Sequence, residues 1–529
     1  MQKNDKSNII LTGFMGTGKT TVGKLLARQL GREFIDTDEL IQARHGRSIP
    51  EIFLELGEAV FRQMEADIVQ ELAEREELVI STGGRLMLDP ANVAALSRKG
   101  RVFCLVATPE EILTRLRDDK EHRRPLLEVP NLGERIVELL QQRQKGYRRF
   151  PQVVTNEKQP TEVTRDLVAL IQSDPKRFVI DHPVEPYDFV VGGGLLPFIR
   201  QLAGVDGQIV VITDSQVGEL YAASCGEVDH IITIPTGRQH KNLATVQTVY
   251  DQLLQVGFDR TGTIVSLGGS VMGDIAGFVA ATYMRGVDFV QCPTSLLDMV
   301  DTSVGGKTAL DLPQGKNLIG AFKQPTAVIA DVATLQTLPA EKFASGMAEV
   351  IKHGLIAGMD LLQKVENRNW RRERGTIPLP LSELQSLVAQ AIQIKIVIVQ
   401  EDPYERGRRS ILNLGHTFAH AIEQVSKYSI RHGEAVAMGL VAAANLSARL
   451  GHCSSTLQER IELALSKVGL PTWIPKQLSP ELLFKAMNSD KKRLAGQLRF
   501  VLLREVGQAF VTDAVPDSAV LATLQEVSQ

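Results

Sequence analysis

The sequence predicts an α/β protein of several domains: a parallel sheet with helices on both faces, a second α/β unit, and a mainly helical C-terminal part. Three observations carry this. Strand-like apolar runs alternate with amphipathic helical stretches up to about residue 338, the pattern of parallel sheets covered on both faces. At 529 residues the chain exceeds what one hydrophobic core holds. Two glycine-rich loops, at 13–20 and 266–270, each follow a strand-like run and lie a domain's length apart.

In order, residues 8–12 read as a buried strand. Val22, Leu25, Leu26 and Leu30 then recur at helical spacing until Gly31. Residues 33–36, 78–82 and 101–107 are further strands, the last followed by Thr108-Pro109 as a helix start. Residues 117–124 are dense in charge, as a mobile surface segment would be. Around 172–187, Pro175, Pro183 and Pro186 interrupt regular structure and mark a boundary. Strands are expected again at 188–191, 208–213, 230–234 and 263–267. After 338 helical patterns dominate, including 381–400, 416–426 and 433–450. The expected division is 1–172, a connector at 173–187, then 188–338 and 339–529.

Composition narrows the function. A net charge of -3 argues against nucleic acid or an anionic membrane as the main partner. The four cysteines are scattered with no CxxC pair, which excludes a zinc ribbon and argues against a disulfide framework. The N-terminal apolar run ends in a glycine loop and is no signal peptide. No stretch is expected to span a bilayer. The expected location is the cytoplasm.

The first loop, Gly13-Phe14-Met15-Gly16-Thr17-Gly18-Lys19-Thr20, is a GxxxxGK[ST] P-loop between strand and helix. Backbone N–H groups hold phosphates there, Lys19 neutralises charge and Thr20 reaches Mg²⁺. Asp36 and Asp38, two apart, are expected on one face of a strand end, one suited to Mg²⁺ and one to a hydroxyl. With Gly57-Glu58, Phe61-Arg62, Thr82-Gly83-Gly84 and Arg124-Pro125-Leu126-Leu127, residues 7–170 resemble the shikimate kinase family. The resemblance implies ATP with Mg²⁺ on Gly13, Gly16, Gly18, Lys19, Thr20 and Asp36. It implies shikimate on Asp38, Arg62, Gly84 and Arg143, with Asp38 orienting the reacting hydroxyl and Arg124 in a lid over ATP. The family has three glycines where this chain reads Gly83-Gly84-Arg85. Two outcomes stay open: the loop adapts to the side chain, or the side chain crowds the acceptor pocket or requires a backbone conformation that suits glycine, weakening the kinase or altering its acceptor.

In the second half, Gly268-Gly269-Ser270 after an apolar strand permits close approach of a dinucleotide pyrophosphate. His416 and His420 stand at i and i+4, His432 follows, and Glu349 lies in a helical stretch. One Glu with two or three His makes an open Zn²⁺ site. AEVIKHG, NLGHTFAHAIE and HGEAVAMG give residues 178–515 a strong resemblance to 3-dehydroquinate synthase. This implies a Rossmann-like NAD domain followed by a helical metal-binding domain, with Glu349, His416 and His432 as ligands of Zn²⁺ (or Co²⁺). It implies NAD on Asp214, Lys241, Gly268, Gly269, Ser270, Asp274, Thr294 and Ser295. It implies the phosphorylated seven-carbon sugar acid DAHP on Asp301, Lys307, Lys316, Asn317, Lys352, Lys395, Arg409, Asn413 and His420. Lys19, Asp38, Arg124, Lys307, Lys352, Arg409 and His420 are the implied catalytic set. Arg238 stands where the family has a ribose-binding Glu, so the resemblance does not carry that one ribose contact over to this chain. The implied chemistry is oxidation of an alcohol by NAD⁺, β-elimination of phosphate, re-reduction, ring opening and an aldol closure.

Other readings stay open: a related sugar-phosphate cyclase or a metal-dependent polyol dehydrogenase for the second half, and a non-catalytic kinase domain for the first. The implied partners are small molecules (ATP, shikimate, DAHP), and a homodimer through the second half is left open.

Overall fold

The computed structural model describes residues 6–118, 131–147, 149–183, 185–205, 207–371, 379–405, 407–493 and 498–529. The charge-dense run and Arg124 therefore fall largely outside the described residues. The chain forms two compact units, Met1–Asp174 with Arg200–Asp206, and Pro175–Ile199 with Gly207–Gln529.

The first unit is built on strands β1 (Asn8–Gly13), β2 (Glu33–Asp36), β3 (Leu78–Ser81), β4 (Gly100–Val106) and β5 (Gln152–Val154). They form one parallel sheet in the order β2-β3-β1-β4-β5. β1 and β3 are buried along their whole length, which is why they read as continuous apolar runs rather than alternating ones. The P-loop leaves the end of β1 and opens the helix Lys19–Leu30. A Cβ on Gly13 would lie 2.2 Å from the Leu105 carbonyl oxygen, and its φ is +134°, so only glycine fits there.

The second unit's main sheet comprises β6 (Lys176–Ile180), β7 (Tyr187–Gly192), β8 (Ile209–Asp214), β9 (His230–Ile234), β10 (Thr263–Gly268) and β11 (Asp288–Pro293). A hairpin, β12 (Lys307–Leu312) with β13 (Gly315–Phe322), intervenes before β14 (Ala327–Asp331) closes the main sheet. The order is β6-β7-β14-β11-β10-β8-β9, parallel except at the β6 edge. β6 places a paired edge strand within the expected connector at 173–187. Pro175 precedes it, while Pro183 and Pro186 follow it. None of them removes a ladder donor from the strand itself.

From Ala340 onward helices dominate, with one small antiparallel pair, β15 (Phe500–Leu503) and β16 (Ala509–Thr512). A single core runs from Val191 and Val328 of the sheet to Val350 and Leu440 of the helices, so 188–338 and 339–529 pack as one unit. The helix Leu381–Glu401 is long and apolar enough to cross a membrane, against the expectation that no stretch is. Leu384, Leu387, Val388 and Ile392 bury it in that core.

Candidate functional sites

In the first unit the P-loop, Asp36 and Thr82-Gly83-Gly84 meet where strands β1, β2 and β3 end. Asp36 pairs in register with Ser81, which puts their loops side by side. Lys19 Nζ donates to the carbonyls of Gly13 (3.0 Å) and Phe14 (2.9 Å), holding an ammonium inside the loop. Gly16 and Gly18 adopt φ of +80° and +87° around it. Thr20 Oγ1 donates to Asp36 Oδ2 at 2.8 Å, the pairing expected of two groups around one Mg²⁺. The other Asp36 oxygen caps the helix Thr37–His45, accepting from Asp38 N at 3.0 Å. Asp38 thus lies in the first helical turn, not on the face of a strand end, which corrects that expectation.

Asp38 still reaches the same pocket. A Cβ built on Gly83 would come within 2.8 Å of Asp38 Oδ1 and 2.9 Å of Glu65 Oε1, so both carboxyl groups flank this glycine. Glu65 is buried and pairs with Arg62 at 2.5 Å. Burial pushes its pKa up to about 7, with the Arg62 guanidinium opposing. On the far side, Arg143 Nη1 lies 3.6 Å from the Cβ position of Gly84, and Tyr147 donates to the Gly84 carbonyl. Arg143 is itself buried, its guanidinium 5.3 Å from the centroid of Phe14. Asp38, Arg62, Gly84 and Arg143 are therefore brought together.

At Arg85 the loop adapts. Arg85 has a φ of -111°, negative and open to any residue, so the backbone there does not require glycine. Its side chain turns outward to Glu58, at 2.8 Å, and is half exposed. Glu58 also accepts from Arg62, and Arg115 joins the site without having been singled out from sequence. Arg115 donates to Thr155 and lies 3.4 Å from the Gly16 carbonyl, bracing the P-loop.

In the second unit the other loop leaves β10 and opens the helix Ser270–Thr282. A Cβ on Gly268 would lie 2.5 Å from Met272 Cγ, so the bend admits glycine alone. β8 and β10 pair as neighbours and end together, which sets Asp214 beside Gly268. Asp214 Oδ1 accepts from the amides of Gln216 and Val217 and from Thr236 Oγ1. Thr294 N donates to the Gly268 carbonyl at 3.0 Å, and Ser295 Oγ donates to Asp298 beneath Gly269. Lys241, almost fully buried, bridges Asp274 at 2.5 Å and Asn317 at 2.6 Å. Arg238 is held by both oxygens of Asp311, at 2.8 and 3.1 Å, so its charge is already matched. These residues form a glycine cradle at the carboxyl ends of parallel strands, suited to a dinucleotide.

Beside the cradle is a cavity of about 260 Å³. Ser270 and Asp274 line one side, with Asp301, Lys307, Lys352, Lys395, Arg409, Asn413 and His416 around the rest. Lys395 Nζ donates to Asp301 Oδ1 at 2.7 Å, and Lys352 pairs with Glu349 one helical turn away. Burial pushes the Asp301 carboxyl up, but Lys395 and Lys352 outweigh it and hold the pKa well below the usual range. Lys307 pairs with Glu405, which also accepts from Asn413. Lys316 does not line this cavity; its ammonium stands 3.2 Å from the centroid of Tyr428.

Glu349, His416 and His432 offer ligand atoms within 4.8 Å of one another. Glu349 comes from the middle of the helix Ala340–Ala357, and the histidines are the first residues of the helices His416–Val425 and His432–Arg449. Gly433 N donates to Ser345 Oγ at 3.0 Å, tying the last of these to the first. Burial holds the His416 imidazole neutral, its pKa pushed down to about 4. His432 is also penalised by burial, yet hydrogen bonds to Glu349 and Glu423 raise it to about 10. One carboxylate, two imidazoles and an adjoining cavity fit a divalent metal with an open position. His420 is the next turn's neighbour of His416, ring centroids 5.6 Å apart. Asp301, Glu349 and His353 form a second close group. Glu423 and His353 stand inside the motifs NLGHTFAHAIE and AEVIKHG but were given no role from sequence, and Glu405 lies outside them.

The two glycine cradles, each with its own charged pocket, define a two-centre enzyme working on nucleotides and small anionic substrates. Residues 15–172 match the shikimate kinase family model, while 231–345 and 346–493 match the N- and C-terminal models of 3-dehydroquinate synthase. The 3-dehydroquinate synthase of Pelobacter propionicus is 43% identical over 64% of this chain and 97% of its own length. That of Syntrophotalea carbinolica is 44% identical over 64% and 95%. A structure of 2-deoxy-scyllo-inosose synthase with carbaglucose-6-phosphate, NAD⁺ and Co²⁺ matches at 26% identity and a TM-score of 0.60, over 66% of this chain and 100% of that one. The chain belongs to the 3-dehydroquinate synthase family, fused behind a shikimate kinase domain, and is a bifunctional enzyme of the shikimate pathway.

Proposed function

We propose that the first unit transfers the γ-phosphoryl group of ATP to shikimate and that the second converts DAHP to 3-dehydroquinate and phosphate, each with its own residue set. In the kinase, Gly13, Gly16, Gly18 and Lys19 receive the phosphates, and Thr20 and Asp36 the Mg²⁺. Asp38 accepts a hydrogen bond from the reacting hydroxyl. Arg62 and Arg143, on either side of Gly84, take the carboxylate of the acceptor. Phosphoryl transfer needs mainly such positioning and charge neutralisation. The negative φ at Arg85, open to any residue, favours a working kinase over a non-catalytic domain.

In the synthase, the observation that carries the reading is one cavity shared by the dinucleotide cradle, four lysines, a buried arginine and His416 of the Glu349–His416–His432 group. A polyol dehydrogenase would not need that many cations; an acidic phosphorylated substrate does. Arg409, Lys307 and Asn413 bind the anionic ends of the substrate, while Asp301 orients Lys395 and Glu349 orients Lys352 towards its hydroxyls. His420, exposed beside the metal group, is placed to exchange a proton with solvent. When bound, NAD⁺ supplies a hydride acceptor and Zn²⁺ or Co²⁺ a Lewis acid.

The test is phosphate release from DAHP by the intact protein, with and without NAD⁺ and after dialysis against a chelator. Release is expected only with both cofactors, while ATP- and shikimate-dependent ADP formation survives chelation once Mg²⁺ is restored. NADH accumulating without phosphate release would refute the synthase reading.

A further inference from the structure

We propose that Glu423 is the positioning residue of the metal centre, fixing the tautomer and aim of His432. The proposal rests on the reading of Glu349, His416 and His432 as metal ligands.

The geometry is a line of three groups. His432 Nε2 lies 3.5 Å from Glu349 Oε1, and His432 Nδ1 lies 3.5 Å from Glu423 Oε2. The two carboxylates thus address opposite nitrogens of one ring. An imidazole whose Nδ1–H donates to Glu423 keeps the Nε2 lone pair for a cation beside Glu349, and it cannot rotate without losing that bond. Glu423 has the means to do this because it is largely buried, 17% exposed, on the same helix that begins with ligand His416. Seven residues, two helical turns, separate the two, so one helix face supplies both a ligand and the carboxylate that aims the next ligand.

The contrast with His353 sharpens the point. Asp301, Glu349 and His353 lie as close together as the first group and share Glu349 with it. Yet neither nitrogen of the fully buried His353 has a hydrogen-bond partner, so no second group sets its tautomer. Burial pushes its pKa down to about 3. Of the two sets, the one containing His432 has a carboxylate 3.5 Å from each ring nitrogen, and Glu423 supplies the one outside the ligand group, whereas the His353 contact to Asp301 is 3.8 Å and on one nitrogen. Glu423 also sits within electrostatic reach of Lys316, and its backbone carbonyl accepts from Tyr428 N, the residue whose ring carries Lys316. The same turn therefore ties the metal centre to the β12–β13 hairpin.

The experiment uses the full chain stripped of metal and titrated with Co²⁺. Binding is followed by the visible absorption of the bound ion and by competition with a chromogenic chelator. Glu423→Ala should weaken Co²⁺ binding about 10- to 100-fold and alter the absorption spectrum. Glu423→Gln, which keeps an acceptor oxygen in place, should lose less. Both should unfold within a few degrees of wild type, because a structural role alone would move the melting temperature and not the spectrum. Unchanged affinity and spectrum in both variants would overturn the role of Glu423 while leaving the metal centre standing. Failure of wild type to bind one Co²⁺, or retention of that ion by His416→Ala, would overturn the metal reading itself and the proposal with it.

Discussion

Replacing Lys395 with methionine probes the buried charges of the synthase centre. Lys395 is 6% exposed and donates to both the side chain and the backbone carbonyl of Asp301. Methionine preserves the length and removes the charge. Breaking one partner of a buried pair costs about 3–5 kcal/mol. The lower end applies here, since Lys352 stays in reach of Asp301 although bonded to Glu349. The effect should depend on pH in a definite direction. In wild type the folded pKa of Asp301 is depressed, so its stabilisation is full above the unfolded value of about 4 and is lost only as pH falls through the lower folded value. In the variant, burial is opposed by less charge and the folded pKa rises above the unfolded one. The native state then binds more protons than the unfolded state, and stability falls as pH rises, by up to about 1.4 kcal/mol per unit. The gap between the proteins should be roughly 3 kcal/mol at pH 8 and about 1 kcal/mol at pH 5. Urea unfolding read by tryptophan fluorescence isolates the unit concerned, because Trp370 and Trp473 both belong to it. A gap that stays constant from pH 5 to 8 refutes the reasoning. So does a double variant, Asp301→Asn with Lys395→Met, that recovers nothing at pH 8.

Three further outcomes follow from the two centres. Thr20→Val removes the hydroxyl bonded to Asp36 and should lower kinase kcat on the order of 100-fold, with phosphate release from DAHP unchanged in the same preparation. Arg85→Gly should change kinase turnover less than about fivefold, the worth of a half-exposed ion pair; a large gain would mean that the side chain blocks the acceptor. Arg409→Lys keeps the charge but loses the planar fork whose Nη1 donates to the Pro403 carbonyl, and should raise KM for DAHP about tenfold or more, measured by initial rates of phosphate release.

What could be read from sequence divides along a physical line. The P-loop was legible because its ligand contacts come from the backbone, so spacing alone carries the geometry: three glycines, a lysine and a threonine within eight residues. The second cradle was legible for the same reason. Strand runs in both sheets could be found because burial on both faces leaves unbroken apolar segments. Misreadings arose where one residue serves two purposes. Asp36 looked like the end of a strand, yet its carboxylate also caps the next helix, and that moved Asp38 onto the helix. The prolines at 175, 183 and 186 looked like breakers of everything between them, though they flank a paired strand.

The synthase centre shows the same division more deeply. The histidines cluster in sequence and drew attention to themselves, but Glu349 lies 83 residues before His432, and their approach depends on helix packing that no local pattern encodes. Glu423 closes the motif NLGHTFAHAIE, two helical turns after His416 on the same face, but the motif does not say which group its carboxylate meets. Glu405 lies outside the motifs: it stands in the charged run from Glu401 with a φ of +56°, and only the fold turns its carboxylate onto Lys307. Residues that touch ligands directly are thus chosen for a chemistry that sequence can name. Those that hold them in place are ordinary carboxylates, and only the fold shows which cation or imidazole each one faces. Lys395 and His432 are cases of the first kind, Asp301 and Glu423 of the second, and removing either member of such a pair should disable the same step.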